Sequence, residues 1–391
     1  MKACGIIVEY NPFHNGHAYH IEKAREASKA EVIVAVMSGN FLQRGEPAII
    51  DKWMRTAEAL KNGVDLVVEL PFYWAVQSAD YFARGGVKLL QALNCESLCF
   101  GTDSPSENDY QSFGEFTAAN QQLIERKYKE INQQHLSYSR QMTQVFQELY
   151  PSLHLDFSSP NHILGLSYAK ENAQYEHPMS LLPIKRNVSK YNEEKIHQEF
   201  ASATAVRNGA FKGQWGALKM VIPDQTLIDL TQKKLVSWED YWPLLKYRLI
   251  SSSYEELQQI YQMTEGIEYR LKEKALKAET FHQFIESVKT KRYTWTRLQR
   301  LAVYILTNIS AEEIYQGWNN SYLNILGMTE KGQSYLKIQK KKSKLPILTK
   351  QMKNTEKYFK IGVKCDRIYQ LGNNGIAEQN SGRFPIRIKN A

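Results

Sequence analysis

The chain has 391 residues, with 43% hydrophobic and 23% charged side chains and a formal net charge of +9. This composition excludes a chain that is disordered along most of its length, and at about 150 residues per domain the length predicts two or three domains. No apolar run approaches the roughly 20 residues that span a bilayer, and the four cysteines do not make a disulfide framework, so we expect a reducing, cytoplasmic setting and no membrane partner.

The first hundred residues alternate between short apolar runs and stretches with helical periodicity. Four continuous apolar runs predict strands that are buried on both faces. These predicted strands are residues 3–9, 31–37, 64–70 and 96–100, and the predicted helices are 14–28, 51–62 and 77–93. This order is typical of an α/β fold with a Rossmann-like, parallel, doubly wound sheet. We expect two polar helices at 106–150, before the sheet resumes at 181–185.

The second part of the chain has a different character. From Trp238 to Tyr322 the pattern predicts helices throughout, and residues 360–371 resemble a strand in a short mixed tail. Residues 1–200 carry 19 basic and 24 acidic side chains, a net charge of −5, whereas residues 201–391 carry 31 and 17, a net charge of +14. We therefore predict an α/β domain at 1–215 and a mainly α-helical basic domain at 216–391, and we expect the second domain to contact a polyanion.

The loop after the first predicted strand carries the residues that indicate chemistry. It reads EYNPF at 9–13 and leads directly into HNGH at 14–17, where a helix begins. Ligands of open α/β sheets bind beyond the carboxyl ends of the strands, and a helix N-terminus there favours a phosphate. His14 and His17 lie on one helix face, so both can donate an N–H to charge that develops on an α-phosphate. The alternative is that they only cap the first helical turn.

The HNGH sequence resembles the HIGH signature of the nucleotidyltransferase superfamily, which class I aminoacyl-tRNA synthetases share. The longer run GIIVEYNPFHNGHAYHI at 5–21 resembles the bacterial tRNA(Met) cytidine acetate ligase family. Further stretches that are similar to this family lie at 38–60, 63–72, 159–170, 181–186 and 202–207. The resemblance therefore covers most of the first 215 residues, and we expect it to extend over the whole chain.

The resemblance implies a ligase that activates acetate with ATP. Together with the charge difference, it predicts that residues 1–215 activate acetate and that residues 216–391 bind tRNA. Acetate attacks the α-phosphate to give acetyl-adenylate and pyrophosphate. The acetyl group then passes to the wobble cytidine of elongator tRNA(Met), which becomes N4-acetylcytidine. Because acetate is already a carboxylate nucleophile, the first step needs positioning and charge neutralisation rather than deprotonation. Mg²⁺ is expected with ATP, held mostly through ATP oxygens and water.

The same resemblance implies the residues of the ATP site, and His14 and His17 are the expected catalytic residues. The implied ATP-binding residues are Ile7, Val8, Glu9, Tyr10, Asn11, Pro12, Phe13, His14, Asn15, Gly16, His17, Ala18, Tyr19, His20, Gly101, Asn161 and Arg186. Other roles stay open for three of them. Gly101 can be a turn that ends a strand, Asn161 a helix N-cap, and Arg186 half of a surface salt bridge.

The segment SATAVR at 202–207 resembles the second signature of the superfamily, which holds the triphosphate tail. The resemblance implies contacts from Ser202, Thr204 and Arg207. Ala203 stands where a second serine is common, which departs from the usual form. The alternative is an ordinary helix with an N-cap.

Basic residues elsewhere are candidates for phosphate or tRNA contacts. In the first part of the chain these are Arg44, in the loop SGNFLQRGEP after the second predicted strand, and Lys52 and Arg55 just beyond this loop. In the second part of the chain, cations alternate with Tyr293 and Trp295, so that cations can contact phosphates while aromatic rings stack on unpaired bases. The predicted tRNA-binding residues are Lys289, Lys291, Arg292, Arg297, Arg300, Lys340, Lys341 and Lys342. The alternative is that the rings belong to a helix core and that the lysines form a solvated loop.

Two other functions stay open from the sequence. An adenylyltransferase of a small cofactor precursor would use the same HNGH loop, although such enzymes are commonly shorter and lack a basic second half. The other alternative is a non-catalytic RNA-binding protein with a relic nucleotide site. The intact His14, Gly16 and His17 argue against that alternative.

Overall fold

The structure is a computed structural model that describes residues 1–103, 107–131, 138–151, 160–185, 200–264, 266–350 and 355–389. Its central feature is an eight-stranded sheet in the order β5-β4-β1-β2-β3-β6-β7, in which β8 also pairs with β6. The strands are β1 (Ala3–Val8), β2 (Val32–Ser38), β3 (Leu66–Leu70), β4 (Ser97–Thr102), β5 (Ser180–Lys185), β6 (Leu323–Thr329), β7 (Ile347–Leu348) and β8 (Ile386–Ile388).

The first five strands are parallel, which confirms the predicted fold class. β1 pairs with β2 on one side and with β4 on the other. The chain therefore builds the sheet outward in both directions from β1. At such a switch point the connections diverge and leave a crevice at the carboxyl end of the strands, where ligands of this fold class bind.

In the described part of the chain, eight helices connect or cover the parallel strands. They are α1 (Asn15–Ser28), α2 (Lys52–Lys61), α3 (Phe72–Ala75), α4 (Ala79–Ala92), α5 (Glu107–Ala119), α6 (Gln121–Ile131), α7 (Tyr138–Leu149) and α8 (Pro160–Asn172). The insertion predicted as two helices at 106–150 thus contains three helices in its described residues, 107–131 and 138–150. The break at Asn120 separates α5 from α6, and the polar composition of this stretch conceals it.

The second part of the chain is mainly helical, as predicted for 238–322. Its helices are α9 (Ala203–Phe211), α10 (Trp215–Leu218), α11 (Asp224–Gln232), α12 (Trp238–Ser251), α13 (Tyr254–Gln258), α14 (Ile267–Lys277), α15 (Phe281–Val288), α16 (Trp295–Thr307), α17 (Ala311–Asn319), α18 (Glu330–Gln339) and α19 (Glu356–Gln370). Helix α19 contradicts the strand predicted at 360–371. Ile361, Cys365 and Tyr369 are buried at a spacing of four residues, which is the stripe of a helix rather than the alternation of a strand.

Residues beyond 322 rejoin the sheet. Strand β6 runs antiparallel to β3, with Glu69 opposite Asn324. The sheet therefore extends across the boundary predicted at residue 215, and the division of the chain into an activating domain and a tRNA-binding domain stays a prediction.

Both faces of the sheet are buried, as the continuous apolar strands predict. Alternate residues of β2 enter two different cores, with Val32, Val34 and Val36 on one face and Ile33, Ala35 and Met37 on the other. The first core continues through Trp74 and Tyr304 into the helices of the second part. A third, smaller core packs α9–α11 against Ile49 and Ile50, next to the HNGH loop.

Three further properties concern the described residues only. None of their helices is long and apolar enough to cross a membrane. They contain no group of three or more histidine, cysteine, aspartate or glutamate side chains that could hold a metal ion. All four cysteines are buried and free.

Candidate active site

Two histidines lie together on the first turn of α1, directly beyond the end of β1. His14 is the N-cap residue of α1, and its N–H donates to Nδ1 of His17 over 3.3 Å. The two imidazole rings stack with their centroids 3.7 Å apart and 21° between their planes. Because Nδ1 of His17 accepts this hydrogen bond, a neutral His17 carries its hydrogen on Nε2, from which it can donate to a ligand. Helix capping and ligand binding are therefore compatible roles for this pair.

The residues before the histidines are buried and tightly packed. Tyr10 has a φ of 52°, in the left-handed region that a bulky residue rarely adopts. The centroid of the His17 ring lies 4.9 Å from that of Tyr10 and 5.5 Å from that of Phe13. Burial raises the pKa of the Tyr10 phenol, so the ring packs as a neutral group. The two aromatic rings thus hold the orientation of His17.

Glu9 lies between the end of β1 and this aromatic group. Its Oε1 accepts a hydrogen bond from the N–H of Gln43 over 2.7 Å and one from the hydroxyl of Ser38 over 3.5 Å. Burial raises the pKa of the Glu9 carboxyl. Through Gln43, Glu9 connects the first loop to the turn that follows β2.

Arg207, predicted from the second signature, contacts the first loop. The carbonyl oxygen of Asn11 accepts a hydrogen bond from Nη1 of Arg207 over 2.8 Å, and Arg207 also pairs with Glu46 at 3.4 Å. Oδ1 of Asn11 accepts a further bond from the N–H of Ile49 over 2.8 Å. The loop is therefore held both by the segment after β2 and by α9.

The start of α9 lies near the same loop. Oγ of Ser202 caps α9 by accepting a backbone N–H of the first turn over 3.1 Å, and Oγ1 of Thr204 accepts a bond from Nη2 of Arg207 over 3.3 Å. The N–H of Asn15, at the start of α1, donates to the carbonyl oxygen of Val221 over 2.9 Å. The structure thus brings the three residues of the second signature close to the HNGH loop, and their contacts with a triphosphate stay a prediction.

The end of β4 and the start of α8 form another part of the crevice. Gly101 is the last but one residue of β4, and Asn161 lies in the first turn of α8; both are half-buried. Nδ1 of the buried His162 lies 2.8 Å from the phenol oxygen of Tyr110, which also bonds to the hydroxyl of Thr102. This connection ties α8 to the end of β4 and brings Asn161 towards Gly101.

The remaining predicted ATP-binding residues differ in their surroundings. Nε2 of His20 lies 3.4 Å from Sγ of Cys99, so this side chain faces β4. Tyr19 packs edge-on against Phe200, with ring centroids 6.1 Å apart. Arg186 lies outside the described residues, directly after β5.

Arg55 binds the ends of strands rather than a ligand, so its predicted phosphate or tRNA contact is wrong. The side chain is fully buried on α2. Its guanidinium donates to the carbonyl oxygens of Glu9, Ser38 and Gly39 over 2.6, 3.0 and 2.5 Å. Arg55 therefore holds together the chain segments that leave β1 and β2, and it positions the loop with the histidines.

Lys52 is also fully engaged inside the protein, which corrects the same prediction. Its Nζ lies 2.9 Å from Oε1 of Glu69 and 2.7 Å from Oδ2 of Asp366, and all three residues are buried. We call these three residues the lysine cluster. Asn40 donates to Oδ1 of Asp366 over 2.8 Å, and Asn324 donates to Oε2 of Glu69 over 2.6 Å.

The charged groups of the lysine cluster shift one another's pKa values. Burial alone would lower the pKa of Lys52, but the two carboxylates raise it above its ordinary value. Burial raises the pKa of Asp366 to about 6, although Lys52 acts in the opposite direction. Sequence reasoning missed this cluster because Lys52 and Asp366 are 314 residues apart. No local pattern indicates such a partner.

The predicted tRNA-binding cations are divided between two exposed segments and helix α16. Tyr293, predicted to stack on a base, is buried instead, and its hydroxyl donates to the carbonyl of Thr264 over 3.1 Å. The guanidinium of Arg297 lies over the Tyr293 ring, 4.5 Å from its centroid, and Trp295 is half-buried. The prediction for Tyr293 is therefore wrong. The exposed cations are Lys289, Lys291 and Arg292 before α16 and Lys340, Lys341 and Lys342 in the turn after α18.

Comparisons with known proteins agree with the fold class of this chain. A family profile described as HIGH Nucleotidyl Transferase matches residues 1–383. The tRNA(Met) cytidine acetate ligase of Levilactobacillus brevis is 43% identical over 391 residues, which cover 99% of this chain and 98% of the relative. The crystal structure of Thermotoga maritima TmcAL in its apo form has a TM-score of 0.92 at 29% identity and covers 100% of both chains. The structure of TmcAL bound with alpha-thio ATP has a TM-score of 0.89 at 28% identity, again over 100% of both chains.

Proposed function

The chain belongs to the tRNA(Met) cytidine acetate ligase family of HIGH nucleotidyl transferases, and we propose that it uses ATP to acetylate the wobble cytidine of elongator tRNA(Met). The observation that carries this proposal is the stacked pair of His14 and His17 at the start of α1. This pair lies at the carboxyl edge of the sheet, beside the switch point at β1. A solved relative of similar fold, TmcAL, is bound with alpha-thio ATP.

In the first step, an acetate oxygen attacks the α-phosphorus of ATP and the bond to the pyrophosphate oxygen breaks. Negative charge grows on the α-phosphate oxygens and on the leaving pyrophosphate. Nε2–H of His17, the imidazole of His14 and the N-terminus of α1 are directed to stabilise this charge. No side chain needs to remove a proton, because acetate attacks as the carboxylate.

The ATP in this proposal extends along the carboxyl edge of the sheet. The loop and helix turn from Ile7 to His20 hold its centre, with Gly101 and Asn161 on the β4 side. Ser202, Thr204 and Arg207 hold the triphosphate tail, a role supported by their position beside the same loop. Mg²⁺ would neutralise phosphate charge when it arrives with ATP, and we assign it no ligand among the residues of this chain.

In the second step, the exocyclic amine of the cytidine attacks the carbonyl carbon of acetyl-adenylate. A C–N bond forms, the amine loses a proton, and AMP leaves with the electrons of the C–O bond. The accepting base must be unstacked to reach the adenylate, as a base in an anticodon loop can be. The exposed cations before α16 and after α18 are proposed to hold the tRNA backbone, supported by the net charge of +14 in residues 201–391.

An assay with ATP, radiolabelled acetate and bulk tRNA tests the whole proposal. We expect pyrophosphate release that depends on acetate, and label that enters tRNA as N4-acetylcytidine. Label-free tRNA together with ATP turnover on a phosphorylated metabolite would instead indicate a small-molecule adenylyltransferase. Binding of tRNA without ATP turnover would indicate a non-catalytic RNA-binding protein.

The role of His17 is tested by His17→Gln, which keeps an acceptor for the capping hydrogen bond. We expect acetate-dependent ATP–pyrophosphate exchange to fall by about 10²–10³-fold, which is typical for loss of one donor to a developing charge. His177→Ala removes an exposed histidine outside the crevice and serves as the matched control. Exchange that stays at the level of this control would contradict the phosphate-stabilising role.

A further inference from the structure

The turn after β2 packs directly against helix α16. Within this turn the N–H of Gly45 donates to the carbonyl oxygen of Leu42 over 2.9 Å, and Nε1 of Trp238 donates to the carbonyl oxygen of Gly45 over 2.8 Å. Gly45 has a φ of 78°, and a Cβ at this position would collide with the backbone of Arg300. The turn is therefore fixed against α16, and this contact places Arg44 beside Arg300.

Arg300 has an unusual environment for a guanidinium. Its Nε is shielded from solvent and has no hydrogen-bond partner among the described residues. The charges that act on it include Arg297, one turn earlier on the same helix, and Arg44 on the turn. Burial and these two like charges lower the pKa of Arg300, although Tyr304 and Tyr261 act in the opposite direction. A shielded cation beside two others is costly unless an anion approaches it.

We propose that Arg44, Arg297 and Arg300, which we call the arginine cluster, form a phosphate-binding site for the RNA backbone next to the accepting nucleotide. Guanidinium groups suit this ligand because their planar N–H donors match phosphate oxygens. The site joins a turn of the sheet to a helix of the second part, so a phosphate bound there would contact both. The identification of the ligand as RNA rests on the proposed function.

The position of the arginine cluster favours an RNA phosphate over the triphosphate of ATP. Gln43, the residue before Arg44, donates its N–H to Glu9 over 2.7 Å, which places the turn beside the end of β1. Arg207, the cation proposed for the triphosphate tail, pairs with Glu46 farther along the turn. Arg44 instead lies close enough to α16 for its charge to lower the pKa of Arg300. A phosphate at the arginine cluster is thus near the reacting centre but separate from the proposed path of the triphosphate.

Substitution of Arg300 tests the site in the full-length protein. Arg300→Met removes the charge and keeps the aliphatic stem, while Arg300→Lys keeps the charge and loses the planar fork. For Arg300→Met we expect the Kd for tRNA to rise about tenfold and the slope of log Kd against log salt to fall by about one. Arg300→Lys should weaken binding less. Thermal melting of each variant verifies that it is folded.

The controls separate the two sources of phosphate. Arg126→Gln removes one exposed positive charge from α6 and should change the Kd for tRNA by less than about twofold, as expected for a distant cation under screening. The KM for ATP, measured by acetate-dependent exchange without tRNA, should change less than the Kd for tRNA in Arg300→Met. An increase in the KM for ATP with unchanged tRNA binding would overturn the assignment to RNA. Unchanged values for both ligands would overturn the site itself.

A double-mutant cycle tests whether the arginines share one phosphate. Arg44→Gln lies on the turn and should also weaken tRNA binding. If both side chains contact one phosphate, the double variant should bind more tightly than the product of the two single effects predicts. Strictly multiplicative effects would contradict a shared phosphate.

The binding measurements and the acetylation assay can fail independently. Because the measurements above record binding only, they remain valid even if the acetate-dependent reaction is not observed. In that case the proposed function fails and the phosphate site does not.

Discussion

The lysine cluster and the arginine cluster place buried or shielded cations near the same edge of the sheet, with opposite electrostatic surroundings. Lys52 has two carboxylates within 2.9 Å. Arg300 has two neighbouring cations and no ion pair among the described residues. Burial acts against the charged form of both side chains, but among the described residues only Lys52 has anionic partners that compensate for the lost hydration.

This difference separates a structural cation from a binding cation. Lys52, Glu69 and Asp366 come from α2, β3 and α19, so their contacts join the parallel sheet to the end of the chain. The ion pairs among these three side chains offset the free-energy cost of burying their charges. For Arg300, no described residue accepts a hydrogen bond from its shielded Nε, so in our proposal a bound anion offsets the same cost. Basic composition alone does not distinguish the two cases.

The largest expected effect comes from breaking the lysine cluster. Lys52→Met leaves two buried carboxylates without their cation, so we expect the free energy of unfolding to fall by about 3–5 kcal/mol. Urea denaturation followed by circular dichroism measures this loss. Lys331→Met, at an exposed position of α18, is the matched control and should stay within about 0.5 kcal/mol of the parent protein.

Neutralising the carboxylates should reverse much of that loss. The triple variant Lys52→Met, Glu69→Gln and Asp366→Asn has no buried charge left in the lysine cluster, and we expect it to be more stable than Lys52→Met alone. If Lys52→Met is as stable as its surface control, the lysine cluster does not contribute to stability as proposed here.

A smaller effect concerns the pH dependence of the lysine cluster. Burial raises the pKa of Asp366 to about 6. The unfolded carboxyl has a pKa of about 3.9, so between roughly pH 4 and 6 the folded chain holds a proton that the unfolded chain has lost. The contribution of Asp366 to stability is therefore full below pH 4 and is lost as the pH rises through 6. The charged groups that face Asp366 are Lys52 and Glu69, and Asn40 donates to it.

The variant Asp366→Asn isolates this contribution. We expect the stability of the parent protein relative to Asp366→Asn to decline between pH 4 and 6, by at most about 1.4 kcal/mol per pH unit for one proton. Between pH 7 and 8 the difference should be constant, which serves as the internal control. A difference that increases from pH 4 to 6 would mean that the pKa of Asp366 is lowered by Lys52 rather than raised by burial.

Sequence patterns predicted the regions whose structure is decided locally. Continuous β-branched runs identified β1 to β4, and the HNGH loop identified the histidine pair, because the strand, the loop and the helix start lie within one short segment. Strand β6 was not predicted, since its place beside β3 depends on residues more than 250 positions away. Residues 360–371 were predicted as a strand, but Ile361, Cys365 and Tyr369 are buried at the spacing of a helix in α19.

The same limit applies to the basic residues. Lys52, Arg55 and Arg44 were equivalent as loop cations in the sequence. In the structure Lys52 pairs with carboxylates, Arg55 binds backbone carbonyl oxygens, and Arg44 lies near other arginines. These differences arise from partners on distant segments, and no spacing along the chain encodes them. The role of a cation thus depended on its tertiary partners, while the position of the histidines did not.

The smallest expected effect is on the stability of the arginine cluster, and its sign is the opposite of that for the lysine cluster. Arg300→Met removes a shielded charge that forms no ion pair with the part of the chain that the structure describes, and it keeps most of the packing of the stem. We expect the free energy of unfolding to change by no more than about 1 kcal/mol, in the stabilising direction. Saturating tRNA should then raise the melting temperature of the parent protein more than that of the variant, because bound ligand stabilises only through the contacts it makes. A loss of several kcal/mol in Arg300→Met without tRNA would show that Arg300 is already compensated within the fold, and the contrast with Lys52 would disappear.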